Sequence, residues 1–334
     1  MKKERNMLKL ILERNKQLII GLIIGIIFSS TIVYGAEIIL DAKEIKYDDT
    51  KVAETLGETD VEGALKKLYE KADKCNSVTV LYNDGTFIIN ELPSQRNKNI
   101  VKHGNVVKTY ESFSTSNPYI FRSIEDRPWN SDKDSITSVE VGTVIKPTDI
   151  RMWFQDLSNL SKADLSNIDT SNVTEMSHLF ERAGSNVSSF EVTGISEWDT
   201  SKVYSMHGMF NGSGKNARTW SIGDLSNWDT TSVIYMAYMF ENIKASQMES
   251  IGSLDVYAPS IEELFYDTSG VKATINIYSN PVEGWPGYSY AFKYAATASG
   301  SKITVNYSRK TTNINNIIAT KSSNSNVVKG VQLD

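Results

Sequence analysis

Residues 168–180 read IDTSNVTEMSHLF; the pattern returns as WDTSKVYSMHGMF at 198–210 and as WDTTSVIYMAYMF at 228–240. Both intervals are 30 residues, and Asp, Thr, Val, Met and Phe keep their places. Fainter copies flank the three: IRMWF at 150–154, IEELF at 261–265 and YSYAF at 288–292. The closing Phe therefore recurs at 154, 180, 210, 240, 265 and 292, in steps of 25–30 residues. A fixed period of that size marks stacked supersecondary units, none of which can bury its apolar face alone.

Each unit reads as one short strand followed by one short helix. The strand candidates are 163–165, 190–195, 220–225, 253–257, 273–278 and 303–307, where apolar residues alternate with small polar ones or form a short run. Asp169, Asp199 and Asp229 stand at the turn, where Asp and Ser/Thr oxygens cap the backbone N–H groups of the next turn. Val173, Met176, Leu179 and Phe180 then share one helical face and point inward. Met206, Met236, Phe210, Phe240, Trp198 and Trp228 hold equivalent core places. About six such coils make an α/β repeat solenoid.

The pattern [WF]-D-T-S-x-V-x-x-M-x-x-M-F resembles the BspA-like leucine-rich repeat of bacterial surface proteins, also found in Mycoplasma and Listeria surface proteins. Residues 168–180, 198–210 and 228–240 carry the resemblance, with degenerate copies from about 136 to 318. It implies a leucine-rich-repeat-like solenoid outside the cell, used for adhesion or other surface binding without catalysis. Leucines before the Asp are sparse, GSN (184–186) and GSG (212–214) lengthen two repeats, and the last copies lose Asp-Thr-Ser.

Upstream, residues 76–145 read as a β-rich module that covers the first coil. Segments 78–82 and 87–90 flank the hairpin signal Asn83-Asp84-Gly85, followed by 101–110, Trp129 and 136–145. The chain thus divides into a basic segment (1–17), an apolar segment (18–36), a stalk (37–75), the capping module (76–145), the solenoid (146–320) and a polar tail (321–334).

The first 17 residues carry six Lys/Arg and two Glu, and residues 17–36 carry no charge. Twenty residues at about 1.5 Å each span about 30 Å, the hydrocarbon thickness of a bilayer. Basic residues in front keep the N-terminus in the cytoplasm and leave 37–334 outside. The length favours a single-pass signal-anchor over a cleavable signal peptide with its site near Gly35 and Ala36, which would give a secreted chain. Gly21 and Gly25 form GxxxG, a spacing that lets two membrane helices meet as a homodimer, although glycine is common in such helices anyway. In the stalk, T-x-x-E at 59–62 opens an amphipathic helix over 60–74, ending at Cys75. Cys75 is the single cysteine: it forms no internal disulfide, and it is either an intermolecular link or a free thiol without role. Residues 44–72 also resemble the segment just outside the membrane anchor in surface and pilin-like proteins of Gram-positive bacteria, and phage tail-fibre sequence.

Composition narrows the function further. Forty per cent hydrophobic residues and 22% charged ones indicate a folded chain, and a net charge of −5 argues against a nucleic-acid binder. Three histidines, His103, His178 and His207, show no triad context. One Asp per repeat falls short of the six to eight oxygens calcium needs, so no metal or cofactor is expected. The methionines keep helical spacing with Val and Phe and read as core. Aromatics outside that register, Trp220, Tyr257, Tyr278 and Trp285, are the candidates for a contact surface. The expected function is non-catalytic: adhesion, or binding of an extracellular protein or glycan. An extracytoplasmic enzyme with a site around Glu125, Arg127 and Trp129, and a passive spacer, are the alternatives.

Overall fold

The computed structural model describes residues 77–113, 118–284 and 286–334. The basic segment, the apolar segment and the stalk, with Gly21, Gly25 and Cys75, lie outside the described residues, as does Trp285.

The architecture is largely parallel β-sheet with few helices. The chain begins with β1 (Val78–Tyr82) and β2 (Thr86–Glu91), an antiparallel hairpin turning at Asn83-Asp84-Gly85. Next come α1 (Pro93–His103) and β3 (Val106–Tyr110), which returns antiparallel to β1. From β2 onward the pairing is parallel: β4 (Ser138–Val141), β5 (Lys162–Asp164), β6 (Ser189–Thr193), β7 (Thr219–Ser221) and β8 (Gln247–Met248) extend one eight-stranded sheet. A second, all-parallel sheet holds β9 (Ser250–Val256), β10 (Lys272–Ile277), β11 (Lys302–Tyr307) and β12 (Val327–Gln332). Alternate strand residues face the core in register, as in the run Val139, Ala163, Val192 and the pair Phe190, Trp220. The tail 321–334 thus supplies the edge strand of the second sheet.

The segments after Asp-Thr-Ser are not helices. In each unit the closing Phe lies in a run of turns, and residues two before and two after it have positive φ. The pairs are Met152/Asp156, His178/Arg182, Gly208/Gly212, Tyr238/Asn242, Glu263/Asp267 and Tyr290/Tyr294. Hydrogen bonding explains why. The amides of Met176, His178, Phe180 and Arg182 donate to carbonyls of Ser205, His207, Met209 and Asn211 in the next unit, at 2.7–3.0 Å. Only the intervening amides of Leu179, Glu181 and Ala183 bond three residues back. A helix needs every amide for its own i→i−4 ladder. Here alternate amides leave the segment to join the neighbouring unit, so overlapping turns result. The same four-bond pattern recurs from unit to unit down to Asp267, which donates to Lys293 at 2.9 Å.

Packing follows from this ladder. Phe154, Phe180, Phe210, Phe240, Phe265 and Phe292 are all fully buried, with successive ring centroids 4.9–6.1 Å apart. Burying one such side chain stabilises by about 1.5–3 kcal/mol, so the column is a large share of what holds the units together.

The region 101–110 is not one strand. Pro93 at the first helical turn and Gly104 at the C-cap (φ 84°) bracket α1, and Val101 lies on it, 89% exposed. Proline there forfeits an N–H that has no helical partner, and glycine takes the left-handed exit.

Candidate functional site

The repeat signature is an interior device. Asp169, Asp199 and Asp229 each accept the backbone N–H two residues on, from Ser171, Ser201 and Thr231, at 2.9–3.1 Å. These are Asx-turns, not helix caps, because no helix follows. The side-chain hydroxyls of Ser201 and Thr231 also donate to them and, as the first cause, hold the Asp199 and Asp229 carboxyls below the usual range. Asp169 is lowered chiefly by Lys146, 2.6 Å away. The threonine beside each Asp was expected to accept a backbone N–H as a cap; its hydroxyl instead donates to the next unit. Thr170, Thr200 and Thr230 are buried, and their hydroxyls donate to the carbonyls of Asp199, Asp229 and Asp255 in the next unit. Their recurrence in D-T-[ST] was the available signal. Trp198 and Trp228 stack nearly parallel, 9° apart with centroids 6.4 Å apart, and are buried with Met176, Met206 and Met236.

Arg127 and Trp129 are likewise engaged inside. Within the ladder each unit's carbonyls accept from the unit before, and the first unit has none before it. The Arg127 guanidinium, 2% exposed, donates to the carbonyls of Met152, Trp153 and Gln155 at 2.6–3.3 Å, and the Trp129 indole donates to Trp153 at 3.2 Å. Burial lowers the Arg127 pKa to about 10. Glu125 lies on the surface, accepting from Ser123. These three residues do not converge on a cleft.

At the far end α2 (Ile314–Ala319) lays Ile314 and Ile317 on the core. The amides of Phe292 and Tyr294, with no further unit to meet, donate to the hydroxyls of Thr320 and Ser322 at 3.1 and 3.2 Å.

The histidines are dispersed. His103 is buried, with Nδ1 2.9 Å from Asp84 and 3.1 Å from the Thr86 hydroxyl. His178 and His207 meet edge to face at 5.1 Å, and His207 meets Tyr238 in the same way. Burial, reinforced by His178, lowers the His207 pKa. No group of three or more His, Cys, Asp or Glu able to hold a metal occurs among the described residues.

Two outward surfaces remain. The outer face of the first sheet is small and polar, and Ser189, Glu191, Thr219, Ser221 and Glu249 line a shallow groove of about 480 Å³. The turn side differs from unit to unit. Over the last three units, positions around the Phe hold Tyr238, Glu263 and Tyr290 in one column and Glu241, Tyr266 and Lys293 in the next. Tyr290 and Tyr294 are 51% and 42% exposed. Of the proposed contact aromatics, Trp220 is fully buried, because strand alternation turns it inward between Thr219 and Ser221. Tyr257 is partly exposed and stacks on Tyr278 at 4.7 Å.

Fold and sequence together define a repeat protein of largely parallel β-sheet. Residues 148–278, from the first turn segment to the end of β10, match the family described as "Mycoplasma protein of unknown function, DUF285". Comparison with curated proteins and with solved structures gave no match.

Proposed function

We propose that this chain is a non-catalytic surface-binding protein: a BspA-like, leucine-rich-repeat-like solenoid held outside the cell by the N-terminal apolar segment 18–36. It presents its outer faces to an extracellular protein or glycan. The observation that carries this reading is the division of labour within each repeat. The residues common to the repeats, such as Thr200, Met206 and Phe210, are buried, whereas the positions that vary, such as Tyr204, Ile234 and Tyr290, are exposed. Repeats of that kind build extended surfaces rather than closed pockets. Arg127 and Trp129, on which an enzymatic reading rested, serve the first unit's carbonyls. The test is an array of extracellular-matrix proteins and glycans probed with the full chain. Saturable binding to a defined ligand supports the proposal. A chain that binds none of them contradicts it.

A further inference from the structure

Six turn segments each require two left-handed residues, and glycine meets that need without strain. The third unit uses Gly208 and Gly212 there. The sixth uses Tyr290 and Tyr294, and the fourth uses Tyr238, with φ of 57–61°. A bulky residue in this region is uncommon and costs of order 1 kcal/mol, so the tyrosines stand where local stability argues against them. The rings of Tyr290 and Tyr294 meet Tyr266 edge to face, at 6.5 and 5.9 Å between centroids, and are otherwise open to solvent, 51% and 42% exposed.

Two features beside these rings favour a cation. The Lys293 ammonium lies over Tyr290, Tyr294 and Tyr266, at 4.6, 5.3 and 6.0 Å from the ring centroids. The same wall therefore accepts an ammonium on its aromatic faces. In the fourth and fifth units, Glu241 and Glu263 act on Tyr238, and neither has a cation within ion-pair distance among the described residues. Glu241 is thus met by neutral amides and carries no ion pair, and Glu263 lies in the field of Lys293 without pairing with it.

We infer that the turn side of the last three units binds a lysine- or arginine-bearing segment of another polypeptide. Glu241 and Glu263 pair with its cations, and Tyr238, Tyr290 and Tyr294 lie against them. The inference rests on the proposed surface-binding function and names the chemistry of the partner. Burial, and then the neighbouring Glu263, raises the Glu241 pKa to about 7. Glu181 and Asp267 also bear on it, and Asn211 and Asn242 donate to its two oxygens at 2.7 and 2.6 Å. A bound cation favours the ionised carboxylate, so affinity rises between about pH 6 and 8.

The probe is a labelled (Lys-Gly) repeat peptide titrated into the full chain, beside its (Glu-Gly) counterpart and a neutral maltohexaose. The lysine peptide binds and the other two do not. Tyr290→Gly with Tyr294→Gly weakens it about ten-fold, without lowering the melting temperature, because glycine holds these places in the third unit. Tyr290→Asn with Tyr294→Asn, which follows the precedent of Asn242, is the second pair should the glycines lower the melting temperature. Glu241→Gln weakens binding and flattens its rise with pH. Unchanged affinity in a folded tyrosine variant, whose net charge is that of the parent, reduces the effect to general attraction and overturns the inference. So does maltohexaose displacing the peptide. An array ligand that the tyrosine variant still binds leaves the surface-binding reading standing while removing this one; a blank array removes the broader reading.

Discussion

At the first unit the carbonyls of Trp153 and Gln155 have no unit before them, and a buried guanidinium and an indole donate to them. At the sixth the amides of Phe292 and Tyr294 are left over, and two hydroxyls accept from them. The contrast comes from the direction of the ladder: every unit donates forward and accepts from behind. One end is short of donors and the other of acceptors. Arginine has five N–H donors and no acceptor, which suits the first end, and Ser/Thr oxygens suit the second. The interior units need neither device, since each satisfies its neighbour.

The largest expected effect is therefore a break between the ends. Phe210→Ala removes a fully buried ring from the middle of the column and should cost about 3–5 kcal/mol in urea unfolding. A loss below about 1 kcal/mol would mean that the column is not the core. At the first end, Arg127→Met leaves the buried Gln155 carbonyl without a donor, since Trp129 still serves Trp153 and the Gln155 amide still serves Met152, and should cost about 1.5–3 kcal/mol. At the opposite end, Thr320→Val keeps the shape and removes one neutral acceptor, for about 0.5–1.5 kcal/mol. If the two end variants cost the same, the asymmetry between a charged cap and a neutral one is wrong.

Smaller effects come from the turns inside the units. Asp199→Ala removes an Asx-turn and should cost about 0.5–1.5 kcal/mol. Folded Asp169, Asp199 and Asp229 all titrate below their unfolded values. Their stabilisation is present above the ordinary carboxylate range and lost as pH falls through and below it. Glu241 works in the opposite sense. Its raised pKa means the folded state holds a proton that the unfolded state has released, so stability declines as pH rises from the ordinary carboxylate range to about 7. Thermal melts across pH 3–8 check both signs: Glu241→Gln should remove the upper decline, and Asp199→Ala should reduce the acid loss.

The period, the Phe column and the Asp-Thr-Ser turn were legible because each leaves a residue in a fixed place. Most strands were legible from alternation, as in KATINI (272–277). The turn ladder was not. Val, Met, Leu and Phe at i, i+3, i+6 and i+7 fit one face of a helix as well as they fit overlapping turns. What separates the two is where the alternate amides bond, and those partners lie about 30 residues away. Left-handed residues were hidden for a related reason: only the third unit shows glycine at both places, while the others hold Met, Asp, His, Arg, Tyr, Asn or Glu. The helix α1 lacks a buried apolar stripe, with Ile100 and Val101 both exposed, so only Pro93 and Gly104 announced it. For the binding surface, sequence variation between repeats pointed outward, but Trp220 and the tyrosines at positive φ could be sorted only once strand alternation and turn geometry were known.

The turn ladder itself is tested most directly at Gly212. It has φ of 65°, and an added Cβ would meet nothing closer than Arg182 at 3.5 Å. Backbone conformation, rather than crowding, therefore decides the outcome. Within a helix, Gly→Ala stabilises by about 1 kcal/mol; at a left-handed position it destabilises by about 1 kcal/mol or more. The measurement is the unfolding free energy of Gly212→Ala against the parent chain. A loss of stability is the expected result, and a gain would contradict the ladder of turns.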